Sequence, residues 1–503
     1  MPLSTRWPRH PIVYEVNTWA WLHDVRARAG RSVDLGAVPA AEWDALAAWK
    51  PDAVWLMGVW ERSPEGRRIA LANEGLVRSF REALPDLRLE EDVPGSPYSI
   101  RRYVVDARLG GPKGLAAARA ELARRGIRLV LDLVPNHVAP DHPWAREAPE
   151  FFVRGTSIEL ERSPQAFLRV GDEVFARGRD PYFPPWPDVL QLDAFSAGYR
   201  RALATTLDAI AGQCDAVRTD MAMLLVNRIF ARTWGARVGR PPARELWQEV
   251  LPEVKAKHPG FVVMAEAYWD MEWELQQLGF DACYDKRLYD RIDHANGEGV
   301  RQHLCAGFDY QERLVRFVEN HDEPRAAAAL GARARVGAVT IATLPGTRLF
   351  HEGQFEGFRV RLPVFLGRRP VEPVDEASRA FYRKLLAEAA RPVYREGAFA
   401  LCDRYGWEGN PASQDIVAWC WRLGEERRLV VVNLGRAGAS ARVKVPWPEL
   451  AGRAWRLEDA LDGTVFVRDG GEMSGPGLYV QLELGRWHLL DVRPDGESAP
   501  HDP

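Results

Sequence analysis

Short apolar runs alternate with stretches of helical spacing from residue 11 to residue 391. PIVYEV (11–16) reads as a strand. PAAEWDALAAWKP (39–51) has apolar residues at helical spacing and stops at a proline, which cannot continue a helix. AVWLMGVW (53–60) is a buried-strand run, GLAAARAELARRG (114–126) a helix closed by glycine, and IRLVLDLV (127–134) the next strand. The alternation continues with a helix at 199–212, strand DAVRTDM (215–221), a helix near 244–257 and strand FVVMAEAYW (261–269). A weaker strand, FDACYD (280–285), precedes LVRFVENHD (314–322), a helix within 325–346 and strand TRLFHEG (347–353), with a last helix near 375–391. Strands separated by helices imply βαβ units and a parallel sheet. Eight of them favour a closed (β/α)8 TIM barrel over an open sheet. No Gly-rich dinucleotide fingerprint follows the first strand, which counts against a Rossmann reading.

Two regions depart from the alternation. Residues 136–198 form a long, Pro- and aromatic-rich insertion after the third strand (HPWAREAPEFFVRG, DPYFPPWPDVLQLD). A long connection at that place is expected to be functional. Beyond the last helix, DIVAWCWRL, RRLVVVNLG, ASARVKVPW and LYVQLELGRWHLLDVR read as strands of a separate antiparallel β-domain. The expected organisation is a catalytic barrel over 1–135 and 199–396, an inserted domain over 136–198, a C-terminal β-sandwich over 397–493 and a disordered tail over 494–503.

Composition narrows the function classes. With 46% apolar and 27% charged residues, the 503-residue chain has the balance of an ordinary globular protein. A net charge of −3 gives no electrostatic case for nucleic acid or an anionic membrane as partner. The five cysteines lie far apart without a C-x-x-C pair, so neither a disulfide framework nor a zinc site is expected. The first residues contain no apolar signal core and no run approaches a membrane span, so the expected location is the cytoplasm. Tryptophan is abundant, 19 against 13 tyrosines, which suits both core packing and stacking on flat ligands.

The stretch CDAVRTDM (214–221) raises the chemical question. Strand residues two apart share a face, so Ala216, Arg218 and Asp220 point one way. An ion pair turned into a core is rarely a net gain in stability. In a barrel, catalytic groups sit at the C-terminal ends of strands. Acidic residues fall there repeatedly: Asp132 on the third strand, Asp220 on the fourth, Glu266 near the end of the fifth and Asp322 on the seventh, with His137 and His321 beside them. One strand-end aspartate is commonly a cap. Four around one rim repel each other and are hard to explain structurally. Glycoside hydrolysis needs such groups: one carboxyl with raised pKa protonates the leaving oxygen, while another attacks the anomeric carbon or activates water. A neighbouring arginine would keep the second one ionised on a wet rim, a role that suits Arg218 beside Asp220.

The chain resembles the α-amylase family of glycoside hydrolases (family 13). DLVPNH (132–137), AVRTD (216–220), MAEAYW (264–269) and FVENHD (317–322) are similar, in order and at fitting strand positions, to that family's four short regions. GSPYSIRRYVVDARLGG (95–111), PDVLQLD (187–193) and LPGTRLFHEGQ (344–354) resemble further family segments. The likeness spans about residues 10–365, and the C-terminal domain also fits. It implies that Asp220 is the nucleophile, Glu266 the general acid and then base, and Asp322 the group holding the 2- and 3-hydroxyls of the distorted sugar. Arg218 would pair with Asp220, His137 and His321 would hydrogen-bond the sugar, Tyr98 would stack on it, and Asp132 would support the site. Anomeric configuration would be retained, with Asp220 and Glu266 carboxyls ~5–5.5 Å apart. Asn136 matches a calcium ligand of some members, but no full Ca²⁺ cage of six or more oxygens is found around it. Otherwise no cofactor is expected. Where many members carry Lys-His on the acceptor side, this chain has Leu224 and Leu225.

The leading expectation is a retaining α-glucan-active hydrolase or glucanotransferase acting on α-1,4 bonds, with an oligo- or polysaccharide as partner. An alternative is a member acting on small α-glucosides such as sucrose or trehalose, as glucosidase, isomerase or phosphorylase. Two others are a non-catalytic amylase-like binding protein, which would be expected to lose a catalytic carboxylate, and a metal-dependent barrel hydrolase built on His137 and His142.

Overall fold

The computed structural model describes residues 6–496. Eight parallel strands close into a barrel: β1 (Ile12–Asn17), β2 (Ala53–Met57), β3 (Arg128–Leu133), β4 (Ala216–Thr219), β5 (Val262–Ala265), β6 (Ala282–Tyr284), β7 (Leu314–Arg316) and β8 (Thr347–His351). Each pairs with its sequence neighbours, and β8 returns to β1. The period-2 alternation sorts the side chains. Val13, Ala53, Trp55, Val130, Ala216, Met264, Ala282, Tyr284 and Val315 share the apolar barrel interior. Val54, Leu129, Leu131, Val217, Val263 and Ala265 face the surrounding helices. Inward positions nearer the C-terminal ends hold polar groups, and register makes them neighbours: Arg218 sits opposite Asp132 on one side and Met264 on the other.

Several strands end before their apolar runs do, for local reasons. The run 53–60 breaks at Gly58, whose φ of 79° is open to glycine and whose N–H donates to Asp132 Oδ2 at 2.7 Å. Trp60–Arg62 then pairs antiparallel with Ile100–Val105, outside the barrel. The run 314–322 is strand only to Arg316. Beyond it Asn320 Oδ1 accepts from the backbone N–H groups of Asp322 and Glu323, both at 2.9 Å, and this turn replaces ladder hydrogen bonds.

Between β3 and the helix Ala197–Ala211, the chain forms a short ribbon (His137–Val138 with Leu190–Gln191) and a hairpin (Phe167–Val170 with Glu173–Ala176). C-terminal to the barrel, a six-stranded and a three-stranded antiparallel sheet share one apolar core, with Ile416, Cys420, Leu429 and Val431 from one meeting Ala441, Val443, Val480 and Leu482 from the other. Trp421 anchors this unit to the barrel by donating its indole N–H to the Thr343 carbonyl at 2.7 Å. Of the tail expected to be disordered, Pro494 completes the last strand, Trp487–Pro494, because its neighbours pair with Ala454–Asp459; residues 497–503 lie outside the described residues. Among the described residues no helix is long and apolar enough to cross a membrane.

Candidate active site

The C-terminal rim of the barrel encloses a cavity of about 340 Å³ lined by Ser96, Tyr98, His137, Trp186, Asp188, Val189, Asp220, Met221, Glu266, Tyr268, Asp322, Val364 and Phe365. All three acidic residues expected to do the chemistry reach it. A cavity of similar volume opens at the opposite end of the barrel, where Arg119 and Asp215 neutralise one another at 2.7 Å.

One guanidinium organises the carboxyls. Arg218 Nη1 donates to Asp220 Oδ1 at 2.7 Å, Nη2 makes an ion-pair contact of 2.8 Å with Glu266 Oε2, and the same nitrogen lies 3.8 Å from Asp322 Oδ2. The arginine is wholly buried and walled by the rings of Tyr98 (5.3 Å), Trp55 and Tyr284 (both 5.6 Å). The expectation of an ion pair on a wet rim is therefore corrected. Asp220 is only 6% exposed and its partner not at all. Burial pushes the Asp220 carboxyl up from the ordinary aspartate range, more than Arg218 pulls it down.

Glu266 is set apart from its neighbours. Burial raises its carboxyl, Arg218 opposes that, and Asp220 and Asp322 add to the rise, leaving it at about 7. Its Oε1 accepts from the Tyr268 hydroxyl at 2.9 Å, and its Oε2 from the Met221 backbone N–H at 2.7 Å. Met221 presents that N–H from a left-handed conformation, φ 45°, uncommon for a side chain of this kind. Trp269 and Asp270, just past Tyr268, are left-handed as well.

Asp322 behaves oppositely. Burial pushes its carboxyl up, but the His321 cation more than offsets this and holds it at about 2, with 42% of the side chain open to the cavity mouth. His321 Nε2 lies 2.9 Å from Asp322 Oδ2, and its Nδ1 makes a short hydrogen bond to Glu15 on β1. Burial disfavours the imidazolium, yet Asp322 and Glu15 together raise it to about 10. The Tyr98 hydroxyl also meets His321 Nε2, at 2.7 Å.

Two carboxyls held by one cation, one poised near neutrality and one acidic partner nearby, is what acid and nucleophile chemistry at an acetal carbon requires. No family model matches the chain. The alpha-amylase MalA of Haloarcula japonica is 25% identical over 327 residues, 62% of this chain and 43% of that protein. An alpha-1,4-glucan:maltose-1-phosphate maltosyltransferase of Streptomyces coelicolor is 24% identical over 420 residues, 76% of this chain and 54% of that one. The noncanonic maltogenic alpha-amylase AmyB from Thermotoga neapolitana superposes with a TM-score of 0.66 at 18% identity, over 96% of this chain and 98% of its own. The chain is similar to members of the α-amylase family. It spans about half or less of the length of these two curated relatives.

The expected binding residues divide into two groups. Tyr98 and His137 line the cavity. Burial lowers His137 to about 4, so it meets a ligand as a neutral imidazole. Arg218, Asp132 and His321 stand behind the wall. Asp132 accepts from the Trp55 indole at 3.1 Å and from the Gly58 N–H at 2.7 Å, and burial raises it to about 6. His321 acts through Asp322 and Tyr98. Leu224 and Leu225 are buried in a short 3₁₀ turn, Ala222–Leu225, and leave the acceptor side without a cation from that turn.

Asn136 is tied up inside the protein. Its amide oxygen and its backbone carbonyl each accept from Gln191 Nε2 at 2.9 Å, which pins the end of the insertion to its start. Among the described residues no group of three or more His, Cys, Asp or Glu could hold a metal ion. The donors at Asn136 do not fit Ca²⁺, which takes six to eight oxygens.

Sequence reasoning missed Glu15, Tyr268, Asp188 and Phe365. Glu15 carried the signal that exposed Arg218, a charge at an inward strand position. Asp188 Oδ2 is buried without a protein partner, and burial raises the carboxyl to about 6.

Two outcomes test the electrostatics. Arg218→Ala leaves Asp220 and Glu266 buried without a counter-charge and should lower unfolding free energy by about 3–5 kcal/mol in urea titration. An unchanged midpoint would show that the cation does not carry the cluster. Tyr268→Phe removes a donor to the Glu266 carboxylate, which destabilises the ionised form. With Glu266 in the acid role expected from the sequence, it must hold its proton, so kcat/KM should fall as pH rises through about 7. In Tyr268→Phe that fall should move to higher pH. A fall at the same or lower pH would remove Glu266 as the titrating group.

Proposed function

We propose that this protein is a retaining α-glucan-active hydrolase or glucanotransferase that opens α-1,4-glucosidic bonds through a covalent glycosyl-enzyme. The observation that carries the reading is the single buried guanidinium of Arg218 in contact with both Asp220 and Glu266, with Asp322 beside them. In the first step an Asp220 oxygen bonds to the anomeric carbon as the bond to the leaving oxygen breaks, and Glu266 gives its proton to that oxygen. In the second, Glu266 takes a proton from water or an acceptor hydroxyl, which attacks the same carbon and releases Asp220. Two displacements at one centre retain configuration. Asp322 accepts hydrogen bonds from the sugar hydroxyls, kept ionised by His321 and Glu15. Tyr98 offers a ring face, His137 a neutral imidazole and Asp188 an unpartnered oxygen to the same sugar.

A second reading, action on small α-glucosides such as sucrose or trehalose, is favoured by the volume of the cavity, near the low end of ligand sites at about 340 Å³. A product profile separates the two. Wild type and Asp220→Asn are incubated with maltoheptaose, glycogen, sucrose and trehalose, and the sugars are resolved over time. Shorter maltooligosaccharides mean hydrolysis, and shorter plus longer ones mean transfer. Turnover of the disaccharides alone replaces the first reading by the second. No turnover of any of them by folded protein rejects both.

A further inference from the structure

The connection after β8, residues 352–375, runs without regular secondary structure to the helix Glu376–Ala389. A connection this long is expected to have a function. Its middle turns into the cavity: Val364 and Phe365 are part of the lining. In an eight-stranded barrel closed in sequence order, β8 and β1 lie across from β4 and β5. Contacts of the segment with Asp322 beyond β7 and with Phe80 and Asp92 beyond β2 put Val364 and Phe365 on the side of the cavity away from β4 and β5, which lead to Met221 and Glu266. Glu266 must stand on the side of the leaving group to protonate it, so the opposite wall is met by the sugar units on the other side of the scissile bond.

This wall is fastened at both ends of its inward turn. Arg368 makes a two-pronged pair with Asp92, Nε and Nη2 each at 2.8 Å, and reaches Asp86 at 3.1 Å. The N–H of Gly367 donates to the Asp92 carbonyl at 2.7 Å. Arg369 bridges Asp24 and Glu352, both at 2.9 Å. Leu366 is fully buried with Phe80, Leu84 and Val93, and the Phe365 ring packs on Phe80 at 5.3 Å. At the other end, Arg361 Nη1 donates to the Asp322 carbonyl at 2.7 Å, which ties the wall to a catalytic carboxylate's own backbone. Paired arginine forks and a buried leucine make a fixed barrier, since releasing it would strand buried charges.

We propose that residues 361–369, with Phe365 as the stop, end the cavity on the glycone side, so that the protein works from non-reducing chain ends and donates or releases a unit of one or two sugars. The inference rests on the α-glucan reading above and specifies which bond of the chain is reached. An interior bond would need the chain to continue where Val364 and Phe365 stand.

Maltoheptaose carrying a fluorophore at its reducing end, with or without a blocking group on its non-reducing end, is the probe. The first labelled products of the unblocked sugar should be one or two units shorter, or, for transfer, chains lengthened by one or two. The blocked sugar should be inert. Labelled glucose, maltose or maltotriose among the first products, or equal turnover of the blocked sugar, overturns the proposal while leaving an α-glucan enzyme in place. Phe365→Ala and Arg368→Ala should release longer units and begin to accept the blocked sugar. A folded Phe365→Ala enzyme with the wild-type product length removes Phe365 as the stop. No turnover of either sugar by folded wild type rejects the α-glucan reading itself, and the inference with it.

Discussion

Asp220→Asn should leave a folded protein whose turnover of maltooligosaccharides is reduced by ~10⁴-fold or more, the scale on which covalent nucleophiles matter. The amide keeps the shape of the carboxylate and can still accept from Arg218 Nη1, now 2.7 Å from Asp220. It cannot form the ester. Stability should change little, because the wild-type carboxylate is itself raised by burial in the cavity floor. Removing a buried charge offsets the weaker hydrogen bond to Arg218. Thermal unfolding checks the fold, and sugar chromatography the activity. Residual turnover within tenfold of wild type, in a folded variant, would reassign the nucleophile.

Glu266→Gln should show losses that depend on the leaving group. The glutamine can accept from the Met221 N–H as Glu266 does, but it carries no transferable proton. Maltooligosaccharides leave as poor alkoxides and should lose ~10²–10⁴-fold, the range of a missing general acid. A glycoside with a dinitrophenyl leaving group needs little protonation, so its bond cleavage should be largely spared. The fall in rate near pH 7 expected of wild type should be absent from Glu266→Gln, because the group held at about 7 is gone. Equal losses on both substrates would argue that Glu266 positions the sugar and does not donate the proton.

The two variants separate groups that differ by environment alone. Asp220, Glu266 and Asp322 share a cavity and a guanidinium, yet Glu266 is held near 7 and Asp322 near 2. Glu266 has a weakly acidic phenol and a backbone N–H for company. Asp322 has an imidazolium that a second carboxylate, Glu15, keeps charged. Like charges around one site cannot all ionise equally, and the imidazolium decides which one does so first.

The alternation of apolar runs and the inward charges at strand ends were legible without coordinates. Period 2 alone puts Ala216, Arg218 and Asp220 on one face, and the barrel interior confirms Ala216 there. The eight parallel strands follow from the same alternation, since each run is too short to be anything but a strand of a covered sheet. Element ends were less legible. Gly58 leaves its strand through a left-handed φ and a hydrogen bond to distant Asp132, and Asn320 ends its run through a side-chain-capped turn, neither of which an apolar run reveals.

Only the tertiary structure decided what the charges do to one another. That Arg218 is wholly buried and that burial outweighs it at Asp220 depends on Trp55, Tyr98 and Tyr284 closing over it from three other strands and loops. The link from Glu15 through His321 to Asp322 joins residues 306 apart in sequence. The wall at Phe365 belongs to a stretch with no period at all, held by Arg368 to an aspartate 276 residues away. A local pattern records which way a side chain points. How strongly it is desolvated, and what stands opposite it, is a property of the closed barrel, where distant segments share one low-dielectric space.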